Sequence, residues 1–232
     1  MITWSGWILS VILIIAGIFL VNRLSKLPSL WTSYHYKERV SYFKELNNGL
    51  KDGGIVFLGD SITEQFIVSE FFPDHYVINR GISGDTTEGV LKRLEESVYN
   101  IKPSKIFLLI GVNDLGNGKD IDHIGKNIDI IITKILEKLP HTDIIIQSVY
   151  PVHKDKHNKI KKRIVGKRNN KDINKLNRSI INVANKHDID YIDMNTLLQD
   201  SNGNLDFEYT IEGLHLTPLG YRIVVKEISK YL

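Results

Sequence analysis

One serine and one histidine of this sequence lie in contexts suited to acyl transfer. Ser61 stands in the segment GDSIT, directly after an apolar run, and His215 stands near the C-terminus in EGLHL. A serine at the entry to a helix faces the positive end of the backbone dipole, which favours the negative charge that develops during acyl transfer. We therefore predict that Ser61 is a nucleophile and that His215 takes its proton and returns it to the leaving group.

Three further residues supply the other groups that acyl transfer needs. Glu212 provides a carboxylate that can hold the His215 imidazole in the required tautomer. Gly84, in RGISGDTT, lets a backbone N–H approach a substrate oxygen, and Asn113, in GVND, offers a side-chain amide. Together with the N–H of Ser61, these two donors form a predicted oxyanion hole.

Each of these residues also has an ordinary structural interpretation. Ser61 can cap a helix, Gly84 can be a turn glycine, and His215 can be a loop histidine satisfied by a neighbour. Their joint occurrence after successive predicted strands favours catalysis over these separate explanations. Three nearby aspartates are instead predicted to hold loops through backbone hydrogen bonds: Asp60, Asp85 and Asp114.

The chain around these residues alternates short apolar runs with longer helical patterns. Runs that are apolar on both faces belong to parallel sheets, and they occur at residues 55–58, 76–79, 105–110, 143–148 and 191–193. Amphipathic patterns predict helices at 87–98, 121–139, 172–187 and 218–231, after an earlier stripe at 40–50. Right-handed crossovers then give a three-layer α/β/α sandwich with a mostly parallel, five-stranded sheet, and ligands collect at the carboxyl ends of its strands.

The first 26 residues predict a membrane-anchoring transmembrane helix. No charged side chain occurs from Ile2 to Asn22, and about 20 apolar residues suffice to cross the hydrocarbon layer as a helix. Residues 27–33, which contain Pro28, are predicted to be a juxtamembrane linker, and residues 34–232 are predicted to be the catalytic domain.

The fate and orientation of this anchor are left open by the sequence. A cleaved signal peptide is the alternative interpretation of residues 1–26. Arg23 and Lys26 lie on the domain side of the apolar segment, so the positive-inside rule places the domain in the cytoplasm. Many anchored hydrolases face outward instead, and the side of the membrane therefore stays undecided.

Composition argues against several other functions. The chain has no cysteine, so disulfides, thiolate metal sites and cysteine nucleophiles are excluded, and its net charge of +3 is too weak a bias to indicate nucleic-acid binding. His153 and His157 stand four residues apart, but the cationic side chains of residues 154–171 oppose a metal ion there. That basic stretch is predicted to be a solvated, mobile insertion near the active-site rim, or a contact for anionic lipid headgroups.

Four ordered segments give the sequence a family resemblance. GDSIT, RGISGDTT, GVND and EGLHL resemble the signature blocks of the SGNH or GDSL hydrolases. The flanking stretches are similar to the subgroup of platelet-activating-factor acetylhydrolase and bacterial lysophospholipase-like esterases. Over residues 35–232 the resemblance implies a flavodoxin-like SGNH hydrolase fold, ester hydrolysis through an acyl-enzyme, and no cofactor. Position by position, it places the nucleophile on Ser61, the oxyanion donors on Gly84 and Asn113, and the base on His215.

One position departs from the family pattern. The acidic residue three positions before the histidine is usually aspartate, and here it is Glu212, whose extra methylene changes its reach to the imidazole; Asp206 is the second choice for this role. The resulting prediction is a serine esterase that acts on a lysophospholipid or another small-molecule or lipid acyl ester. An O-acetylesterase for cell-envelope carbohydrate and a noncatalytic binding protein that retains the fold are the alternatives, and the oligomeric state stays open.

Overall fold

The strands of the protein form one parallel sheet. The computed structural model describes the chain from residue 4 to residue 232, and the side chains of residues 4–12, 25, 26, 28 and 29 lie outside that description. The strands are β1 (Ile55–Gly59), β2 (Val77–Gly81), β3 (Lys105–Leu109), β4 (Asp143–Gln147) and β5 (Asp190–Ile192). They lie in the order β2-β1-β3-β4-β5, and every neighbouring pair is parallel. The predicted parallel sheet is confirmed.

The helices that the structure describes lie on both faces of this sheet. They are α1 (Trp4–Asn47), α2 (Ser61–Glu64), α3 (Val68–Phe71), α4 (Thr87–Lys92), α5 (Val112–Gly116), α6 (Ile121–Lys138), α7 (Lys162–Val165), α8 (Asn170–His187), α9 (Met194–Leu197) and α10 (Pro218–Ile228), with a π-helix at Glu95–Tyr99 and a 3₁₀ turn at Ser229–Tyr231. Helices α4, α6 and α8 pack side by side. On α10, Tyr221 stacks on Phe66, which follows α2, with ring centroids 4.9 Å apart. Right-handed crossovers place these two groups on opposite faces.

The predicted single helix at 87–98 is interrupted at Arg93, so that prediction is wrong in its second half. The backbone there departs from helical geometry (φ −117°, ψ 15°), and the chain continues as the π-helix. The Arg93 side chain is fully buried and donates to the carbonyl oxygens of Gly59 and Arg80, both at 2.9 Å, and to Asp85 Oδ2 at 2.7 Å. This guanidinium therefore ties together the ends of β1 and β2, where the site residues follow.

The predicted break in helical structure at residues 27–33 is also wrong, because α1 continues through it as one helix of 44 residues. The division into an anchor, a linker and a domain stays a prediction. A proline inside a helix removes one backbone hydrogen bond, but helical turns on either side still form when other contacts support them. The C-terminal half of α1 has such contacts: Phe43 is buried, and the Tyr36 hydroxyl donates to Gly89 O at 2.9 Å. This half of α1 thus packs against the α/β sandwich.

The predicted membrane anchor at residues 1–26 falls in large part outside the described residues. Among the residues that are described, no helix combines the length and the apolar character needed to cross a bilayer. The described part of the segment nevertheless exposes apolar side chains in succession, among them Leu13, Ile14, Ile15, Ile18, Phe19, Leu20 and Val21, each more than half exposed. The anchor stays a prediction.

Candidate active site

Ser61, His215 and Glu212 form a hydrogen-bonded chain at the carboxyl end of the sheet. Ser61 is the first residue of α2, where the Asp60 carboxylate caps the helix by accepting from Ile62 N at 3.0 Å. His215 Nε2 lies 2.9 Å from Ser61 Oγ, and its Nδ1 lies 2.5 Å from Glu212 Oε1. The structure thus brings together residues that are 154 positions apart in the chain, in the order that a nucleophile, a base and its orienting acid require.

Glu212 is the carboxylate that contacts the imidazole. Burial alone would raise the pKa of Glu212, but the hydrogen bond and the charge of His215 outweigh it and hold this pKa below its ordinary value. Oε1 of Glu212 also accepts from the backbone N–H of His215 at 3.1 Å, which fixes the loop between them. The second choice, Asp206, accepts instead from Glu208 N at 2.8 Å in a local turn. The glutamate therefore reaches the histidine despite its longer side chain.

Replacing Glu212 by glutamine should slow turnover without unfolding the protein. The amide removes the negative charge beside Nδ1, so the tautomer and the imidazolium lose their stabilisation, and kcat should fall by about 10²- to 10⁴-fold. Steady-state kinetics with a p-nitrophenyl ester, alongside a thermal unfolding curve, measures this. Glu208→Gln, at an exposed position, is the matched control. An unchanged kcat in Glu212→Gln would mean that Ser61 and His215 work as a dyad.

The two predicted oxyanion donors lie beside Ser61. Gly84 has φ +79°, a left-handed conformation that strains any residue with a Cβ, and an added Cβ would lie 2.8 Å from Thr32 Cγ2 of α1. Asn113 lies in the first turn of α5, is 7% exposed, and donates from Nδ2 to Asp85 O at 2.8 Å. The side-chain amide has two N–H bonds, so the second is available to a substrate oxygen. The role of both residues stays a prediction that this geometry fits.

The carboxylate of Glu64 joins α1 to the loop that contains Ser83 and Gly84. Glu64 of α2 accepts from Ser83 N at 2.6 Å and lies 3.1 Å from His35 Nε2 and 3.2 Å from Arg39 Nε. Burial would raise the pKa of Glu64, but the hydrogen bonds from Ser83 and His35 and the charge of His35 lower this pKa below its ordinary value. Gly84, which follows Ser83, is thereby held next to α2 and α1 together. No local pattern in the sequence indicates this contact.

Two neighbouring cavities lie on either side of the oxyanion donors. The smaller, about 240 Å³, contains Ser61 and His215 and has Trp31, Ile164 and Leu214 as its apolar walls. The larger, about 470 Å³, is lined mostly by residues with polar groups, among them Tyr36, Ser33, Glu88, Lys92 and Asn117. Both share Thr32, Ser83, Gly84 and Asn113. Ser61 therefore lies in a small, partly apolar space, and a larger space with several polar side chains lies beyond Gly84 and Asn113.

The basic stretch at 154–171 lies at the rim of this site, but it is not uniformly solvated. Most of its lysines are exposed, whereas Arg168 is part-buried, lines the cavity that holds Ser61, and donates to Asn113 Oδ1 at 2.6 Å. His153 and His157 precede α7 in an irregular segment, not on one helix face. The prediction that the basic stretch is solvated is therefore wrong for Arg168. The density of charge along a sequence does not show which cationic side chain points inward.

The three aspartates predicted to hold loops do so in the structure. Asp85 Oδ1 accepts from Thr86 N at 2.9 Å, and Asp114 Oδ1 accepts from the Thr87 hydroxyl at 2.6 Å. Asp60 caps α2 through Oδ1, while its Oδ2 is buried with no hydrogen-bond partner among the described residues. Burial raises the pKa of Asp60 to about 7, against the opposing effects of the Ile62 N–H and the charges of His215 and Arg168.

Asp60 should make the stability of the protein depend on pH. Its folded pKa, about 7, lies above the ordinary value of 3.8, so between these values the folded state retains a proton that the unfolded chain has lost. Stability should therefore fall as pH rises through this window and level off above it, by up to about 3 kcal/mol between pH 5 and 8 at 1.36 kcal/mol per pKa unit.

Asp60→Asn keeps the acceptor for Ile62 N and removes the titrating group. Urea unfolding at pH 5 and pH 8 should show that the variant loses less stability over this interval than the wild type. Parallel pH profiles of the two proteins would contradict a raised Asp60 pKa.

Comparison with known proteins extends these observations. The family model of the GDSL-like lipases and acylhydrolases matches residues 57–223. Platelet-activating factor acetylhydrolase IB subunit alpha1 of Bos taurus is 26% identical over 208 residues, which cover 87% of this chain and 82% of the relative. A solved structure from Streptococcus pneumonia whose name refers to platelet activating factor is 29% identical, with a TM-score of 0.85, over 90% of this chain and 98% of that one. A GDSL-like lipase from Bacteroides thetaiotaomicron is 27% identical, with a TM-score of 0.71, over 83% and 96%.

Proposed function

This chain belongs to the GDSL-like lipase/acylhydrolase family and is a carboxylic ester hydrolase, and we propose that it is a serine esterase working through an acyl-enzyme on Ser61. The observation that carries the proposal is the contact of 2.9 Å between Ser61 Oγ and His215 Nε2, with Glu212 on the far side of the imidazole. No cofactor is needed for this chemistry, because the chain itself provides the nucleophile, the base and the oxyanion donors.

The reaction proceeds in two halves. Ser61 Oγ attacks the ester carbonyl carbon while His215 Nε2 takes its proton, and the oxyanion forms against the N–H groups of Ser61 and Gly84 and the amide of Asn113. Collapse of this intermediate expels the alcohol, which receives the proton from His215. Water then attacks the acyl-enzyme with His215 again as base, and the acid leaves with Ser61 restored.

The cavities support a short acyl group on a polar alcohol. The space at Ser61, about 240 Å³ between Trp31, Ile164 and Leu214, accommodates a small acyl group, and a long chain would have to leave it and lie on the surface. The adjoining space of about 470 Å³, with Glu88, Lys92 and Asn117 in its lining, offers hydrogen-bond partners to a polar alcohol such as a sugar. We therefore favour an O-acetyl ester of a carbohydrate. The acetylhydrolase names of two relatives support the acetyl group, and the polar groups of the larger cavity support the carbohydrate.

A lysophospholipid or other lipid ester is the second candidate, and the exposed apolar residues of α1 favour it. Leu24, Leu27, Leu30 and Trp31 continue the exposed apolar segment from residue 13 to the cavity that contains Ser61. A lipid acyl chain could lie along this surface with its ester at the nucleophile.

A panel of p-nitrophenyl esters from acetate to palmitate separates the two candidates. We expect kcat/KM to be highest for acetate and to fall by about tenfold or more by octanoate, because a short pocket gains no binding energy from further methylenes. A rise in kcat/KM with chain length would favour the lipid ester. Hydrolysis rates of an acetylated sugar and of lysophosphatidylcholine then compare the two candidate substrates directly.

The N-terminal segment is proposed to bind a membrane. Support comes from the exposed apolar side chains at residues 13–21, which surround the helix and would be covered by lipid, and from the uncharged sequence before them. The full chain should float with phosphatidylcholine vesicles, and the triple variant Ile14→Asp, Ile18→Asp, Val21→Asp should not. Equal flotation of both would contradict the proposal. If only the full chain floats, protease accessibility of the domain in intact cells would show on which side of the membrane the domain lies.

A further inference from the structure

The guanidinium of Arg168 is fixed by backbone carbonyls from two separate elements. Nε donates to Val112 O at 2.9 Å, and Nη1 donates to Ile164 O at 3.1 Å and to Val165 O at 3.2 Å. Its remaining donor, Nη2, points at Asn113 Oδ1, 2.6 Å away. An arginine with this many hydrogen bonds has one orientation, because its planar group cannot turn without breaking several of them together.

These contacts determine which way the Asn113 amide faces. Arginine only donates and a backbone carbonyl only accepts. Asn113 must therefore present Oδ1 to Arg168 and Nδ2 to Asp85 O, which it contacts at 2.8 Å. In the flipped orientation, an amide N–H would face a cation and an oxygen would face a carbonyl. One Nδ2 hydrogen is thus committed to Asp85 O, and the second remains to be donated to a substrate oxyanion in the cavity that Asn113 lines together with Ser61 and Gly84.

We propose that Arg168 is a positioning residue for ester hydrolysis, which holds the Asn113 amide with its N–H directed at the oxyanion. The inference rests on the proposed function of Ser61 and goes beyond it by giving the cation a role. The positive charge also polarises the amide it contacts, so that Asn113 becomes a stronger donor as negative charge develops. The part-buried position of Arg168 strengthens both effects, since water does not screen them fully.

Gly116 provides an independent observation for this arrangement. A Cβ on Gly116, the last residue of α5, would lie 2.6 Å from Cζ and Nη2 of Arg168. The glycine thus leaves the space that the guanidinium occupies. Because the crowded atoms belong to a side chain and Gly116 is helical, an added Cβ should push the guanidinium out of its hydrogen bonds while the backbone of α5 keeps its conformation.

The first test measures kcat and KM of Arg168→Met and Arg168→Lys with p-nitrophenyl acetate. We expect Arg168→Met to lower kcat by about 10- to 100-fold with KM changed less than about threefold, because the lost contact acts on the transition state. The kcat of Arg168→Lys should lie between those of Arg168→Met and the wild type, since an ammonium can donate to Oδ1 of Asn113 but cannot keep the planar set of contacts. Lys167→Met, at the exposed neighbouring position, is the matched control and should be unchanged.

The second test asks whether Arg168 acts through Asn113. In the Asn113→Ala background, which should itself lose about 10²- to 10³-fold in kcat, Arg168→Met should have almost no further effect. If Arg168→Met instead damaged the structure independently of Asn113, the fold-losses in kcat of the two single variants would multiply in the double variant. Gly116→Ala should lower kcat in the wild-type background and not in the Asn113→Ala background, and it keeps the inference testable even where Arg168→Met folds poorly.

The outcomes separate this inference from the proposed function. A wild-type chain that neither hydrolyses esters nor reacts with a fluorophosphonate at Ser61 would overturn both. An active wild type whose kcat is unchanged in Arg168→Met and Gly116→Ala, or whose losses multiply with that of Asn113→Ala, would overturn the role of Arg168 alone.

Discussion

Alanine in place of Ser61 is expected to reduce kcat for p-nitrophenyl acetate by at least about 10⁴-fold, because no other group can form the acyl-enzyme. The change removes one oxygen, whose contact in the described part of the chain is with His215 Nε2 at 2.9 Å. The thermal unfolding midpoint should therefore stay close to that of the wild type. Any residual rate should be independent of the nucleophile and should come from binding and the oxyanion donors alone.

The control for this experiment is Ser201→Ala, at an exposed serine that lines neither cavity of the site. It should hydrolyse the ester as the wild type does. If Ser61→Ala retained more than about a tenth of the wild-type kcat while correctly folded, the nucleophile would have to be another group.

Loss of the His215 imidazole is expected to be almost as damaging. His215→Ala leaves Ser61 without the base that lies 2.9 Å from it and leaves the leaving alcohol without a proton donor, so kcat should fall by about 10⁴-fold or more. The remaining rate should rise with hydroxide concentration, because hydroxide then replaces the missing base. Rates of ester cleavage measured from pH 6 to pH 10 would record both the loss of kcat and the rise of the residual rate with pH.

A double variant sharpens this second prediction. Because Ser61 and His215 act as one unit, the loss in Ser61→Ala, His215→Ala should be no greater than in either single variant. His141→Ala, at an exposed histidine, should be indistinguishable from the wild type. Losses in kcat that multiply fully in the double variant, or a kcat of His215→Ala within tenfold of the wild type, would contradict the role of His215 in the mechanism.

The sheet could be predicted because its strands are short apolar runs in a chain of alternating elements. Strands such as Lys105–Leu109 and Asp143–Gln147 are buried on both faces, and burial on both faces requires helices on both sides. Once the strands are parallel, their carboxyl ends share one edge. The residues after them, Ser61, Gly84 and Asn113, could then be placed together with no knowledge of their distances.

Contacts between distant polar groups could not be predicted in this way. Residues 27–33 resemble a linker when only local propensity is considered, but α1 is supported by tertiary contacts, such as Tyr36 with Gly89. Arg93 interrupts a helix and donates to four buried acceptors, and Arg168 lies in a cationic run but contacts Asn113. Such side chains have the same local sequence signature as solvated ones, so only the folded arrangement distinguishes them.

The most direct test of the central claim is covalent labelling of the full chain with a fluorophosphonate, followed by mass spectrometry of the digested protein. The reagent reacts only with a serine that is deprotonated as it attacks and that has oxyanion donors beside it. We predict one phosphonate adduct on the peptide that contains Ser61, formed rapidly by the wild type, slowly by His215→Ala and not at all by Ser61→Ala. An unlabelled wild type, or a label that persists in Ser61→Ala, would contradict it.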